Sequence, residues 1–151
     1  MKIVYIAHPI GGNVVRNLEA LAKVIREINL AEPEVVPLAP YYADVLALDD
    51  NNPAERARGL ENGRCVLKSG AIREVWLYGD GITRGMLGEI KEAFKLGIPV
   101  YGKTKMTRMQ MSSLQNLDAL IRLEKITEES IMNDVFTGDW GKIHSAKKGE
   151  G

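Results

Sequence analysis

The stretch Gly79-Asp80-Gly81-Ile82-Thr83-Arg84-Gly85-Met86-Leu87-Gly88-Glu89-Ile90 follows the apolar run Val75-Trp76-Leu77-Tyr78 and opens a helical pattern that Gly97 ends. A buried strand, a glycine-broken exit and an amphipathic helix, in that order, make half of a parallel crossover. Met86, Ile90, Ala93 and Gly97 recur at helical spacing and are expected to face a sheet. Glu89 lies one residue off that line, on the shoulder of the apolar stripe and within roughly two turns of the helix start. A carboxylate there points over the carboxyl ends of the strands, where open α/β sheets bind their ligands.

The same beat runs outward in both directions. Lys2 to Ala7 reads as a first strand, Asn13 to Asn29 as a first helix, Glu34 to Leu38 as a second strand and Pro53 to Ser69 as a second helix opened by its proline. Glu74 to Tyr78 is the third strand, Thr83 to Leu96 the third helix and Ile98 to Tyr101 the fourth strand. Strands separated by single helices predict a flavodoxin-like, doubly wound α/β sheet of four or five mainly parallel strands with helices on both faces. After Tyr101 the pattern predicts a C-terminal helical segment: Met106 to Leu123, then a short helix capped by Thr127 and running to Phe136, with an edge strand near Arg122 to Ile126 as the fifth. We expect one domain over residues 1–136 and a flexible tail over 137–151, where Trp140 and Ile143 are the main apolar anchors.

Composition narrows the function. The chain has 151 residues, 20 Lys plus Arg and 20 Asp plus Glu, hence zero formal net charge, so no general basic field attracts nucleic acid or a membrane surface. One cysteine, Cys65, and two histidines, His8 and His144, offer no disulfide and no zinc spacing. The apolar start is too short for a signal peptide and no stretch reaches membrane-span length, so a cytoplasmic protein without metal or organic cofactor is expected.

Three strand exits carry the polar residues of interest. At the first, His8-Pro9-Ile10-Gly11-Gly12 lets a ligand approach the backbone beside a helix start, without the dinucleotide or P-loop fingerprints; a plain strand-to-helix turn explains the same residues. At the second, Tyr41 and Tyr42, with Asp44 beyond, offer rings for a base or sugar, at least one being expected to pack under a loop from Val45 to Asn52. At the third, Gly79, Gly81, Gly85 and Gly88 clear the approach to Glu89, while Asp80 and Thr83 add polar groups. The ordinary alternative for Glu89 is a carboxylate complementing the helix dipole.

Two of these segments, Tyr5-Ile6-Ala7-His8-Pro9-Ile10-Gly11-Gly12 and Gly85 through Val100, carry a resemblance to the nucleoside 2-deoxyribosyltransferase-like family that extends over roughly Met1 to Tyr101. The resemblance implies that Glu89 is a nucleophile and that subunits associate; the residues expected to bind substrate are Tyr5, His8, Pro9, Ile10, Gly11, Gly12, Tyr41, Gly85 and Met86. An aspartic acid held near neutrality by burial would protonate the leaving base, and Asp80 is the nearest candidate. Glu61 is the other acidic residue offered, on the helix before the third strand. Members acting on 5′-monophosphates carry a serine and an arginine in the first loop where this chain has His8-Pro9-Ile10, leaving Arg16 and the loop amides as substitutes. The expected function is cleavage or transfer of the N-glycosidic bond of a deoxynucleoside or its monophosphate. The alternatives are a non-catalytic module sensing a nucleotide-derived ligand and a flavin-binding electron carrier. The apolar residues Met106, Met109, Met111, Leu114 and those beyond predict a homodimer or higher oligomer.

Overall fold

The computed structural model describes residues 1–122, with side chains described through Gln115. The element order is β1 (Lys2–Ala7), α1 (Val14–Ala31), β2 (Val35–Leu38), α2 (Tyr41–Ala47), α3 (Pro53–Lys68), β3 (Ile72–Leu77), α4 (Arg84–Lys95), β4 (Val100–Gly102) and α5 (Lys105–Arg122). All pairings are parallel and the strand order is β2-β1-β3-β4. This is the flavodoxin-like α/β topology, with its direction of winding reversing at β1.

Helices α1, α3 and α4 begin where the sequence supplies a cap. Asn13 caps α1 by accepting from the Arg16 amide, Asn52 caps α3 ahead of Pro53, and Thr83 caps α4 by accepting from the Met86 amide. Strand alternation then sorts the core between two faces. Tyr5, Ala7, Val75 and Leu77 pack with Leu67 of α3, Met86, Leu87, Ile90 and Ala93 of α4, and Met111 of α5. Val4, Ile6 and Trp76 point the other way and pack with Leu21 and Ile28 of α1.

Two expectations need correction. The segment after Ala39-Pro40 is not a loop running from Val45: Tyr41–Ala47 is helical, entered from Pro40 already in the helical region at φ −61° and supported by Asp44 in the first turn. Proline's fixed φ suits a helix start as well as a turn, and the segment was too short to show periodicity. The apolar residues after β4 are not all surface either. Met111 is buried and Leu114 packs on the α4 side of the core, whereas Met109 is exposed. The edge strand near Arg122 to Ile126, the helix capped by Thr127 and the tail over 137–151 lie outside the described residues. Among the described residues, no helix is long and apolar enough to cross a membrane.

Helix α5 fixes the exit of β3. Thr107 Oγ1 donates to the Leu77 carbonyl at 3.1 Å, Thr104 Oγ1 donates to the Gly79 carbonyl at 2.9 Å, and the Ile82 amide donates to Gln110 Oε1 at 2.7 Å. Thr107 and Gln110 are buried, so the bonds they make to Leu77 and Ile82 are shielded from water. Gly79, at φ +93°, packs against the Pro9 ring so closely that any Cβ would overlap it. The first and third strand exits are thereby locked together above the sheet.

Candidate active site

The carboxyl ends of β1, β2 and β3 open into a cavity of about 400 Å³. Its floor holds Tyr5, Met86, Leu67 and Glu89; one side is α2 and the following turn, with Tyr41, Asp44, Val45 and Leu48; the opposite rim is His8, Ile10, Gly11, Thr83, Arg84 and Gly85. Helix α3 contributes a wall nearly stripped of side chains at Gly59 and Gly63. A Cβ on Gly63 would sit 3.3 Å from the Tyr5 hydroxyl oxygen, tighter than ordinary packing. Glycine at that position lets the phenol reach across to α4.

There the Tyr5 hydroxyl donates to Glu89 Oε1 at 2.6 Å. The ring is held 6.2 Å from that of Tyr41, whose own hydroxyl donates to the Ile6 carbonyl at 2.8 Å. Glu89 Oε2 has no partner among the described residues. Every fully enclosed side-chain nitrogen or oxygen among them does have one, so Oε2 opens to the cavity.

Burial pushes the Glu89 carboxyl up to about 7, against the opposing pull of the Tyr5 hydrogen bond. Burial also raises Tyr5 well above the usual phenol value, reinforced by the charge and hydrogen bond of Glu89 and by the charges of Tyr41 and Asp44. Tyr41 is raised by burial and by Glu89, with the His8 backbone hydrogen bond opposing. Both phenols therefore keep their protons and act as donors at neutral pH. Glu89, by contrast, changes charge in the range where an acid–base or nucleophilic group is useful.

Of the residues expected at the site, Glu89, Tyr5, His8, Ile10, Gly11, Tyr41, Gly85 and Met86 line the cavity; Asp80, Pro9 and Gly12 do not. Asp80 is exposed, so the burial expected to hold its proton is absent. Pro9 packs under Gly79, and Gly12 serves the turn with a φ of +88°. His8 is buried to 8% exposure and its Nδ1 donates to the Pro9 carbonyl at 2.7 Å. Tyr42 packs on the α1 side of the sheet, leaving Tyr41 as the tyrosine that lines the cavity. Glu61 and Arg16 lie outside the lining, Glu61 pairing with Arg64 at 3.5 Å.

Arg56, Arg64 and Arg84 are the cations at the cavity rim. Arg56 pairs with Asp50 at 3.0 Å, while Arg84, at the start of α4, has no ion pair among the described residues. None of the three was legible beforehand, since a single arginine on a surface helix carries no periodic or motif signal. The turn entering α3 is self-bonded: Glu55 accepts from the Asp49 amide at 2.7 Å and from Asn52 Nδ2 at 2.9 Å. Among the described residues, no group of three or more His, Cys, Asp or Glu side chains could hold a metal ion.

A family model described as Domain of unknown function (DUF7768) matches residues 2–103, from the first residue of β1 to just past β4. The chain belongs to this family. The DUF7768 match thus takes in the four strands, α1 to α4 and every residue lining the cavity. No curated protein matches the sequence. Among solved structures, the 2-desoxiribosyltransferase from Leishmania mexicana is similar at 19% identity and a TM-score of 0.45, over 68% of this chain and 63% of that one. The chain therefore spans less than two thirds of the length of that structure.

Proposed function

We propose that this DUF7768 protein cleaves or transfers the N-glycosidic bond of a deoxynucleoside or its monophosphate, with Glu89 as nucleophile. The observation that carries this reading is the Glu89 carboxyl itself. It lies on the floor of a cavity of about 400 Å³, one oxygen held at 2.6 Å by a neutral phenol and the other open, and burial has raised it to about 7. A dipole-complementing carboxylate has no need of a buried phenol or of a pocket. The sequence resemblance through Gly85 to Val100 agrees in naming Glu89.

Cleavage of a bond between a base and a sugar passes through an oxocarbenium-like sugar, which a carboxylate at the anomeric carbon stabilises by charge or captures as an ester. In the proposed step Glu89 Oε2 attacks the anomeric carbon while the C–N bond breaks. The bonding pair leaves with the base, which takes up a proton from solvent water. Water or a second base then displaces Glu89, restoring the carboxylate and giving hydrolysis or transfer. Tyr5 holds Oε1 so that Oε2 keeps one direction, and the glycines at positions 85 and 88 let the sugar approach. Arg84, at the α4 N-terminus and without an ion pair among the described residues, is the group best placed to receive a 5′-phosphate.

Purified protein incubated with a 2′-deoxynucleoside and a different free base, followed by chromatography, tests the reading. A new nucleoside means transfer, and free base with free sugar means hydrolysis. Tight binding of nucleosides with neither product would replace the enzyme by a sensing module.

A further inference from the structure

The cavity contains a second carboxylate that the cleavage chemistry above does not use. Asp44, in the first turn of α2, faces the cavity and is half-buried. Asn62 Nδ2, from α3, donates to both of its oxygens, at 3.2 and 3.1 Å. A carboxylate has about four acceptor positions, so one amide hydrogen-bonded to both oxygens fixes its plane and leaves acceptor capacity for a ligand. Asp44 lines the same cavity as Tyr5 and Glu89, and its charge adds to the rise of the phenol that holds Glu89.

The surroundings say what such an acceptor would meet. Gly59 and Gly63 leave the α3 wall open beside it, and a Cβ on Gly59 would be in ordinary contact with Asp44 Cβ and Leu48 Cδ1 at 3.7 and 3.6 Å. Leu48 and Val45 supply apolar surface on the same side. A flat, largely apolar ring with polar hydrogens on its edge fits this lining. On this side one oriented acceptor stands beside Gly59, Leu48 and Val45, with Asp50, Glu55, Arg56 and Arg64 also lining the cavity.

We propose that Asp44, positioned by Asn62, selects the base of the substrate by accepting hydrogen bonds from its N–H donors, so that the site takes amino-bearing bases over those lacking the amino group. The proposal rests on the nucleoside reading above. A site that hydrogen-bonds a donor rejects the analogue without it because the acceptor is left buried and unpaired. The bland role for the same contact is a clip between α2 and α3, and the test separates the two.

Binding of free bases is measured by calorimetry on Glu89→Gln protein, which requires no turnover. The probes are two pairs, adenine with purine and guanine with hypoxanthine, each differing by one amino group. The expected result is about tenfold or greater preference for the amino-bearing member of at least one pair. Adding Asp44→Asn keeps a carbonyl for Asn62, and hence the clip, but turns one acceptor oxygen into a donor; the preference should vanish while the melting temperature holds. Equal affinities within both pairs, no binding of any base, or a preference surviving Asp44→Asn each overturn the proposal. Base discrimination in a protein that releases no base from nucleosides would instead retain the role of Asp44 and remove the cleavage reading.

Discussion

Glu74 and Glu89 stand on opposite faces of one sheet and have been given opposite electrostatics. On the α1 face, burial tends to raise Glu74 but is outweighed by the hydrogen bonds from Lys2 and Trp76 and by the charges of Lys2 and Lys103, so its carboxyl lies below the usual range. Lys2 Nζ and Trp76 Nε1 each reach it at 2.6 Å, and Lys103 Nζ lies 3.6 Å from the centroid of the same indole. On the other face, Glu89 has a single, neutral partner among the described residues, and burial wins. A carboxylate meant only to hold the fold is surrounded by cations. One left without a cation in a cavity costs stability, as expected of a group kept for chemistry under the proposed function.

The contrast breaks first at Glu89. Glu89→Gln should lower base release by about a thousandfold or more, the scale of losing a nucleophile, with the fold intact by circular dichroism. The same substitution should raise stability above neutral pH. Because the folded carboxyl is raised from its usual 4.5 to about 7, its ionisation opposes folding, and the penalty grows from pH 4.5 upward and is complete above about 7. Denaturant melts at about pH 8 should show Glu89→Gln more stable by something on the order of 1 to 3 kcal/mol. A less stable variant would make Glu89 a structural residue like Glu74.

Next in size is Gly63→Val, which drives a branched side chain towards the Tyr5 hydroxyl, 3.3 Å from the position of a Cβ. Overpacking of this kind costs about 1 to 3 kcal/mol, and we expect turnover to fall by more than tenfold as the phenol is displaced from Glu89. Unchanged kcat would mean that the Tyr5 contact does not position the carboxylate.

Much of this arrangement was legible in the residues, and what was missed has a physical pattern. The alternation of apolar runs with 3.6-residue periodicity located all four strands and the long helices, since burial enforces it over many residues at once. Glu89 could be singled out because it interrupts that periodicity on a glycine-cleared helix. Helix α2, of seven residues, is too short to carry a period. Asp44, Asn62 and Gly63 act through contacts between α2, α3 and β1, and pairings of this kind leave no local trace in a sequence. The grip of Thr104, Thr107 and Gln110 on the β3 exit is equally nonlocal, although a buried threonine and glutamine at the start of an amphipathic helix are a hint that polar groups nearby need partners. Asp80 was misplaced because a carboxylate in a glycine-rich exit reads the same whether it turns into the pocket or out to solvent.

Smaller effects sharpen the comparison. Tyr5→Phe removes the one hydrogen bond that favours the charged Glu89, so the alkaline-rising limb of the activity profile should move to higher pH and the rate near pH 7 should fall about tenfold. A limb that stays in place would show that Tyr5 has no hold on the carboxylate. Smallest is Glu74→Gln, expected to cost about 1 kcal/mol at neutral pH through weakened contacts to Lys2 and Trp76, with kcat unchanged. Its sign is the reverse of Glu89: with the folded carboxyl lowered, the contribution is present above the usual 4.5 and disappears as pH falls below it. If the two variants respond to pH in the same direction, the opposition between the faces is wrong.

The most direct measurement is base release from 2′-deoxynucleosides, followed by chromatography from about pH 5 to 9 in wild-type protein and Glu89→Gln. Release that rises with pH through about 7 in the wild type and is absent from the variant is the predicted result. No release by the wild type at any pH, or release by Glu89→Gln at the wild-type rate, would contradict the assignment of Glu89 as the nucleophile.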